Sequence, residues 1–130
     1  MVALWHEGRL LVIRNSYRSC FSAPAGNLRR GETPAQAAAR ELNEEVGIRL
    51  APEQLRYVRE VVHTMDFKQD HSHVFEVQLD EAPTPEPDRR EVVWAGYLPP
   101  EEVLPRSLSV PLRTYLEDRL AAEGRIRDDR

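Results

Sequence analysis

Three glutamates crowd one short stretch of this chain. Residues 40–47 read RELNEEVG, which sets Glu41, Glu44 and Glu45 close together just before a helix stop at Gly47-Ile48. Carboxylates at i and i+4, as at Glu41 and Glu45, repel each other instead of supporting a helix. Near the negative end of the macrodipole each anionic side chain is unfavourable by about 0.3–1 kcal/mol. Arg40 stands at i−4 from Glu44 and can pair with it, leaving Glu41 and Glu45 without a helical partner. A solvated acidic face is the plain reading. A hard divalent cation explains more, because magnesium prefers carboxylate oxygens, keeps several waters and completes its shell with substrate phosphates. Such an ion polarises phosphoryl oxygens and generates a hydroxide nucleophile near neutral pH.

The element that must carry these acids is plainly marked. Thr33 is a good N-cap, Pro34 suits N1, and Gln36 at N3 completes a capping box, while Gly47 suits C′. With Ala35 as origin, Ala38, Ala39, Leu42 and Val46 fall within about 60° and form the apolar stripe. Glu41, Glu44 and Glu45 share one arc away from its centre, with Ala37 leaving room a turn earlier. A helix that obeys every other local rule and breaks the electrostatic one is where a functional site is expected.

Around it, VALW and RLLVI flank HEG and predict a hairpin turning near Glu7-Gly8. Residues 15–31 carry polar, Pro and Gly punctuation and read as loop, with a short strand near Phe21. QLRYVREVVHT and SHVFEVQL read as strands joined by a polar loop, MDFKQDH. EAPTPEPDRR is a Pro-rich acidic loop, EVVWAGYL a strand, PPEEVL one helical turn and VPLRTYLEDRLAAEG a terminal amphipathic helix. Residues 124–130 read as a frayed tail. This order predicts a mixed sheet packed by helices, within one domain over residues 1–130.

With 41% hydrophobic and 31% charged residues and a net charge of −4, the composition is that of an ordinary globular protein. The interspersed charges argue against polymeric nucleic acid as a partner, although a local arginine cluster can still hold a small anion. Cys20 is the only cysteine, which excludes an intrachain disulfide. Polar residues from His6 onward interrupt any leader pattern, and the longest apolar run nearby is far short of a membrane span, so a cytoplasmic location and no membrane partner are expected.

The acidic cluster belongs to a longer pattern. Gly26, five residues, Glu32, seven residues, Arg40-Glu41-Leu42, one residue, Glu44-Glu45, one residue, Gly47-Ile48 matches all nine defined positions of the signature of the Nudix hydrolases. The chain resembles that family over nearly its whole length. The resemblance implies an α/β fold, a Nudix-like α/β/α sandwich with a mixed β-sheet. It implies hydrolysis of a diphosphate linkage in a nucleotide or nucleoside diphosphate derivative, with Mg²⁺ or Mn²⁺. Carried over by position, Glu44 and Glu45 are expected as metal ligands and Glu41 as a third ligand or the base. Arg40 would orient these glutamates, Gly26 would offer a backbone carbonyl to the metal, and Glu32 would brace the loop onto the helix. Pro24-Ala25-Gly26 departs from the family's frequent Pro-Gly-Gly, which predicts an altered loop path.

Outside the signature, Glu91 is the expected late-loop acid, as ligand or base, with Glu86 and Asp88 competing. Arg14 and Arg18 are expected to clamp phosphate. His63, His71 and His73 lack an acid or cysteine at diagnostic spacing and read as surface or pocket residues, and Trp94 as core. The main alternative is a catalytically silent, nucleotide-sensing module on the same fold; another is an acidic helix that docks a basic partner. The oligomeric state is left open, with the first strand read as a sheet edge that a partner copy could meet.

Overall fold

The computed structural model describes residues 1–125. Its strands are β1 (Val2–His6), β2 (Arg9–Asn15), β3 (Phe21–Ser22), β4 (Arg56–Met65), β5 (Lys68–Gln78) and β6 (Val92–Leu98). Its helices are α1 (Pro34–Val46), the single turn α2 (Pro100–Val103) and α3 (Val110–Ala122), and a 3₁₀ turn spans Pro52–Gln54. The strands form one mixed sheet in the order β3-β2-β1-β5-β4, with β6 also pairing β2. Only β1 and β5 run parallel; the other pairs are antiparallel.

Alternation along the strands builds two cores. Ala3, Trp5, Leu10 and Val12 face α2 and α3, meeting Val103, Leu112 and Leu116. Val2, Leu4, Leu11 and Ile13 face α1, meeting Ala38, Leu42 and Val46. A sheet buried on both faces by helices is the α/β/α sandwich with a mixed sheet.

The first strand is not an edge. β1 lies between β2 and β5, and its residues Val2, Ala3 and Leu4 are fully buried. Among the described residues the strands with one long neighbour are β4, on β5, and β6, on β2. The polar loop expected between β4 and β5 contracts to the turn Asp66-Phe67, both at positive φ (52° and 65°), and its remaining residues join the strand ladder. Such a two-residue turn matches the twist of its strands, which alternation alone does not disclose.

Trp94 is 39% exposed, not core. Leu10 and Val12 of β2 lie under the α2–α3 layer, but that layer stops short of the level where Arg14 pairs with Trp94. At the far end, Gly124 (φ 72°) and Arg125 return hydrogen bonds to Ala121 and Leu120 of α3, so these two close the helix rather than fray. Residues 126–130 of the expected tail lie outside the described residues. No helix among the described residues is long and apolar enough to cross a membrane.

Candidate active site

A cleft follows from unequal strand lengths. Val2, the first residue of β1, pairs with Phe75, yet β5 begins seven residues earlier at Lys68. On the other side β2 runs on to Asn15 and pairs with β3 at Ile13 and Arg14. Beyond the start of β1 the sheet therefore opens into a cavity of about 680 Å³. Asn15, Tyr17, Arg18 and Cys20 line one side, and His63, Asp70, Ser72 and His73 line the other. Ala25, Gly26 and Glu45 lie where α1 meets it.

Helix α1 is held as its caps require. The Thr33 hydroxyl accepts from Gln36 N at 3.2 Å and the Gln36 side chain accepts from Thr33 N at 2.9 Å. Gly47, at φ 69°, closes the other end through Asn43 O. The Pro-rich acidic loop then supplies N–H groups to the last carbonyls, Asp88 N to Glu45 O at 3.0 Å and Glu86 N to Val46 O at 2.7 Å. These bonds offset the negative helix end where the glutamates gather.

The three glutamates do not share one environment. Glu45 is 5% exposed and faces the cleft. Among the described residues its carboxylate oxygens accept only the Ala25 N–H, at 3.3 and 3.4 Å. Burial pushes its pKa up to about 8; the Ala25 N–H opposes this, and the Glu41, Glu91 and Asp88 charges reinforce it. Glu41 lies behind Gly26, where a Cβ on residue 26 would overlap its carboxyl group. Glu44 is half exposed and bonded to Arg29 and Arg40. Ala37 and Glu45 are buried, so the acidic arc, though away from the centre of the apolar stripe, lies partly inside.

Arg40 explains the separation and corrects its expected pairing. It reaches Glu41 as well as Glu44, the latter at 3.3 Å. It also forks onto Glu32 through Nε at 2.7 Å and Nη2 at 2.9 Å, and Nη2 donates to Asn27 O at 2.9 Å. Hydrogen bonds from Arg40 and from the Arg29 N–H hold the Glu32 carboxyl down at about 2, and Glu32 in turn raises the Arg40 guanidinium above its usual range. The loop over residues 26–32 is thereby fastened to α1. Ala25 keeps a negative φ, and its N–H is the one bonded to Glu45, so no glycine is required there.

Among the late-loop acids, Asp88 is engaged: its Oδ1 accepts from the N–H groups of Arg90, Glu91 and Val92. Glu86 lies against Gly47. Glu91 bears on Glu45, and among the described residues its carboxylate has no hydrogen-bond partner. Arg18 lines the cleft, whereas Arg14 points to the other sheet face and lines a separate cavity with Trp94.

The histidines are cleft residues. His63 Nε2 lies 3.3 Å from Ser72 Oγ and 3.4 Å from Asp70, while His71 and His73 lie 3.5 and 3.7 Å from Glu60. Only the β4–β5 register brings these together, so spacing in the sequence carries no signal for them. Asn15, which no motif in the sequence marks, also lines the cleft, and its Oδ1 is a buried side-chain atom left without a partner among the described residues.

Among the described residues no three His, Cys, Asp or Glu side chains already converge as a metal cluster. The donors nonetheless suit a hard cation. A buried, weakly satisfied Glu45 lies near other carboxylates, all donors are oxygens, and Gly26 leaves space that a side chain would fill. Magnesium sites commonly use one or two carboxylates and take the rest from water and phosphate.

Known proteins match this arrangement. A stretch of 54 residues is 41% identical to a MutT-like protein of Streptomyces ambofaciens, covering 42% of this chain and 35% of that protein. A stretch of 42 residues is 45% identical to an RNA pyrophosphohydrolase of Hydrogenovibrio crunogenus, covering 32% of this chain and 26% of that one. The matched stretches thus span about a third and a quarter of these relatives' lengths. The MutT NUDIX hydrolase of Burkholderia pseudomallei shares the fold at a TM-score of 0.79 and 23% identity, over 89% of this chain and 92% of that one. The family model described as the NUDIX domain matches residues 1–118, which include the whole sheet, α1 and its acids: the chain belongs to the NUDIX family.

Proposed function

We propose that the chain is a metal-dependent pyrophosphohydrolase that cleaves a diphosphate linkage in a nucleotide or nucleoside diphosphate derivative by attack of water on phosphorus. The observation that carries this reading is Glu45, a buried carboxylate facing an open cleft with further acids beside it. Names of the relatives, a MutT-like protein and an RNA pyrophosphohydrolase, agree with it.

In this reading Glu45, Glu41, Glu44, the Gly26 carbonyl and Glu91 would hold Mg²⁺ or Mn²⁺. The bound ion supplies charge stabilisation for phosphoryl oxygens and a lowered pKa for water. The chain's own part is positioning. Arg40 fixes Glu41 and Glu44, while the Ala25 N–H aims Glu45. Where Glu91 is not itself a ligand, its carboxylate, without a hydrogen-bond partner among the described residues, would take a proton from the attacking water. Arg18 meets phosphate at the cleft wall, and the His63–Asp70–Ser72 side offers hydrogen bonds to the rest of a small nucleotide.

The test is a turnover screen of the purified protein with Mg²⁺ or Mn²⁺. Its panel holds nucleoside triphosphates, oxidised ones included, nucleotide sugars, ADP-ribose and dinucleoside polyphosphates, with products identified by mass. Metal-dependent cleavage between phosphates supports the proposal and names the substrate class. No turnover by a folded protein that still binds nucleotide would overturn it in favour of a sensing module.

A further inference from the structure

The sheet face opposite the acids carries a second cavity, of about 460 Å³, lined by Arg14, Phe21, Val93, Trp94 and Arg106. Arg14 and Trp94 are cross-strand partners on β2 and β6. The indole lies along the strand over Gly96, where a Cβ would meet the ring at 2.9 and 3.0 Å. Phe21 abuts it edge-on, with centroids 5.8 Å apart and planes at 88°. The Arg106 guanidinium stacks 5.0 Å from the centre of Phe21, and its Nε is tied to Glu102 O at 2.9 Å, so its position is fixed by the fold. Trp94 thus presents an exposed aromatic surface in a cavity that two guanidinium groups also line.

Neither arginine has a carboxylate partner among the described residues, and no acid lines this cavity. In a chain of net charge −4, two guanidiniums without a carboxylate partner among the described residues, beside an exposed indole, are a local complement to an aromatic anion. We infer that this cavity is a second nucleotide site, separate from the cleft, in which a base stacks on Trp94 while its phosphates meet Arg14 and Arg106. Stacking a base on an aromatic ring is sequence-tolerant, and guanidiniums bind phosphate in a fork. The inference stands independently of the reaction in the cleft.

Tryptophan emission gives a direct reading, because the other tryptophan, Trp5, is only 3% exposed and is bonded to Tyr115. The full chain is titrated in EDTA with GTP, guanosine and inorganic triphosphate. GTP should quench saturably, and more tightly than either fragment. Arg14→Ala and Arg106→Ala, each made singly, should weaken GTP binding about tenfold, and Trp94→Phe should remove the signal. The inference is overturned by an absence of saturation up to about 5 mM, or by quenching that persists in Trp94→Phe. It is equally overturned by affinities that both arginine variants retain, by inorganic triphosphate binding as tightly as GTP, or by a response to oligonucleotides alone.

Discussion

Arg40 and Glu32 meet side-on, two nitrogens of the guanidinium donating to two oxygens of one carboxylate at 2.7 and 2.9 Å. The pair joins the loop to the helix at the one residue that also touches Glu41 and Glu44. Lysine is a point charge and cannot reproduce a fork. Arg40→Lys should therefore lower kcat by about a hundredfold through misplacement of the acids. Steady-state kinetics checks this; a variant with unchanged kcat would remove Arg40 from its positioning role.

Gly26→Ala tests the other side of the same contact. The added methyl overlaps the Glu41 carboxyl, which is the far end of a flexible side chain. The fold should yield by moving Glu41, with a stability change under about 1 kcal/mol. Turnover should fall at least about tenfold. Denaturant unfolding and kinetics, measured on the same preparation, separate the two effects.

Glu45 gives a pH dependence of known sign. Its carboxyl is raised in the folded chain from 4.5 to about 8, first by burial. The folded state then holds the extra proton between those values. The resulting stability is complete below pH 4.5 and is lost as pH rises through about 8. In EDTA the unmodified chain should lose stability over this window, and Glu45→Gln should flatten the slope. The variant should also be more stable near neutral pH, by about 1–3 kcal/mol, while losing turnover. Urea unfolding at several pH values decides; parallel slopes for the two proteins would refute the assignment.

Tyr115 anchors α3 away from the cleft. Its hydroxyl accepts from Trp5 Nε1 at 2.7 Å and donates to Glu76 Oε2 at 2.6 Å. Tyr115→Phe strands the buried indole N–H and should cost about 1–3 kcal/mol. Turnover at temperatures where the variant stays folded should be unchanged, as thermal unfolding followed beside activity will show.

The local devices were readable from the sequence: the Thr33–Gln36 capping box, the Gly47 stop, the Glu7-Gly8 turn and the spacing from Gly26 to Ile48. Each depends on neighbours within a few residues, or on a motif that preserves its spacing. What escaped depends on register and on which helix covers which strand. Trp94 reads as core in any strand of that composition, and only the reach of the α2–α3 layer exposes it. His63 meets Ser72 because a two-residue turn aligns β4 with β5. The unequal environments of Glu41, Glu44 and Glu45 depend on the fork from Arg40 to Glu32. A helical wheel cannot register a side chain eight positions upstream.

The parallel pairing of β1 with β5 also bears on how the chain reaches this state. Val2 meets Phe75 and Leu4 meets Val77, contacts closed across more than half of the sequence. During synthesis the β1–β2 hairpin emerges before β5, with Val2 and Leu4 ready to be buried and their partner on that flank not yet made. Contacts of such long range slow folding, because loop-closure entropy must be met before they form. Until β5 follows, one flank of β1 is an open apolar edge, the segment of a nascent chain most exposed to aggregation. A strand that ends up enclosed between two neighbours thus spends much of synthesis with only one of them.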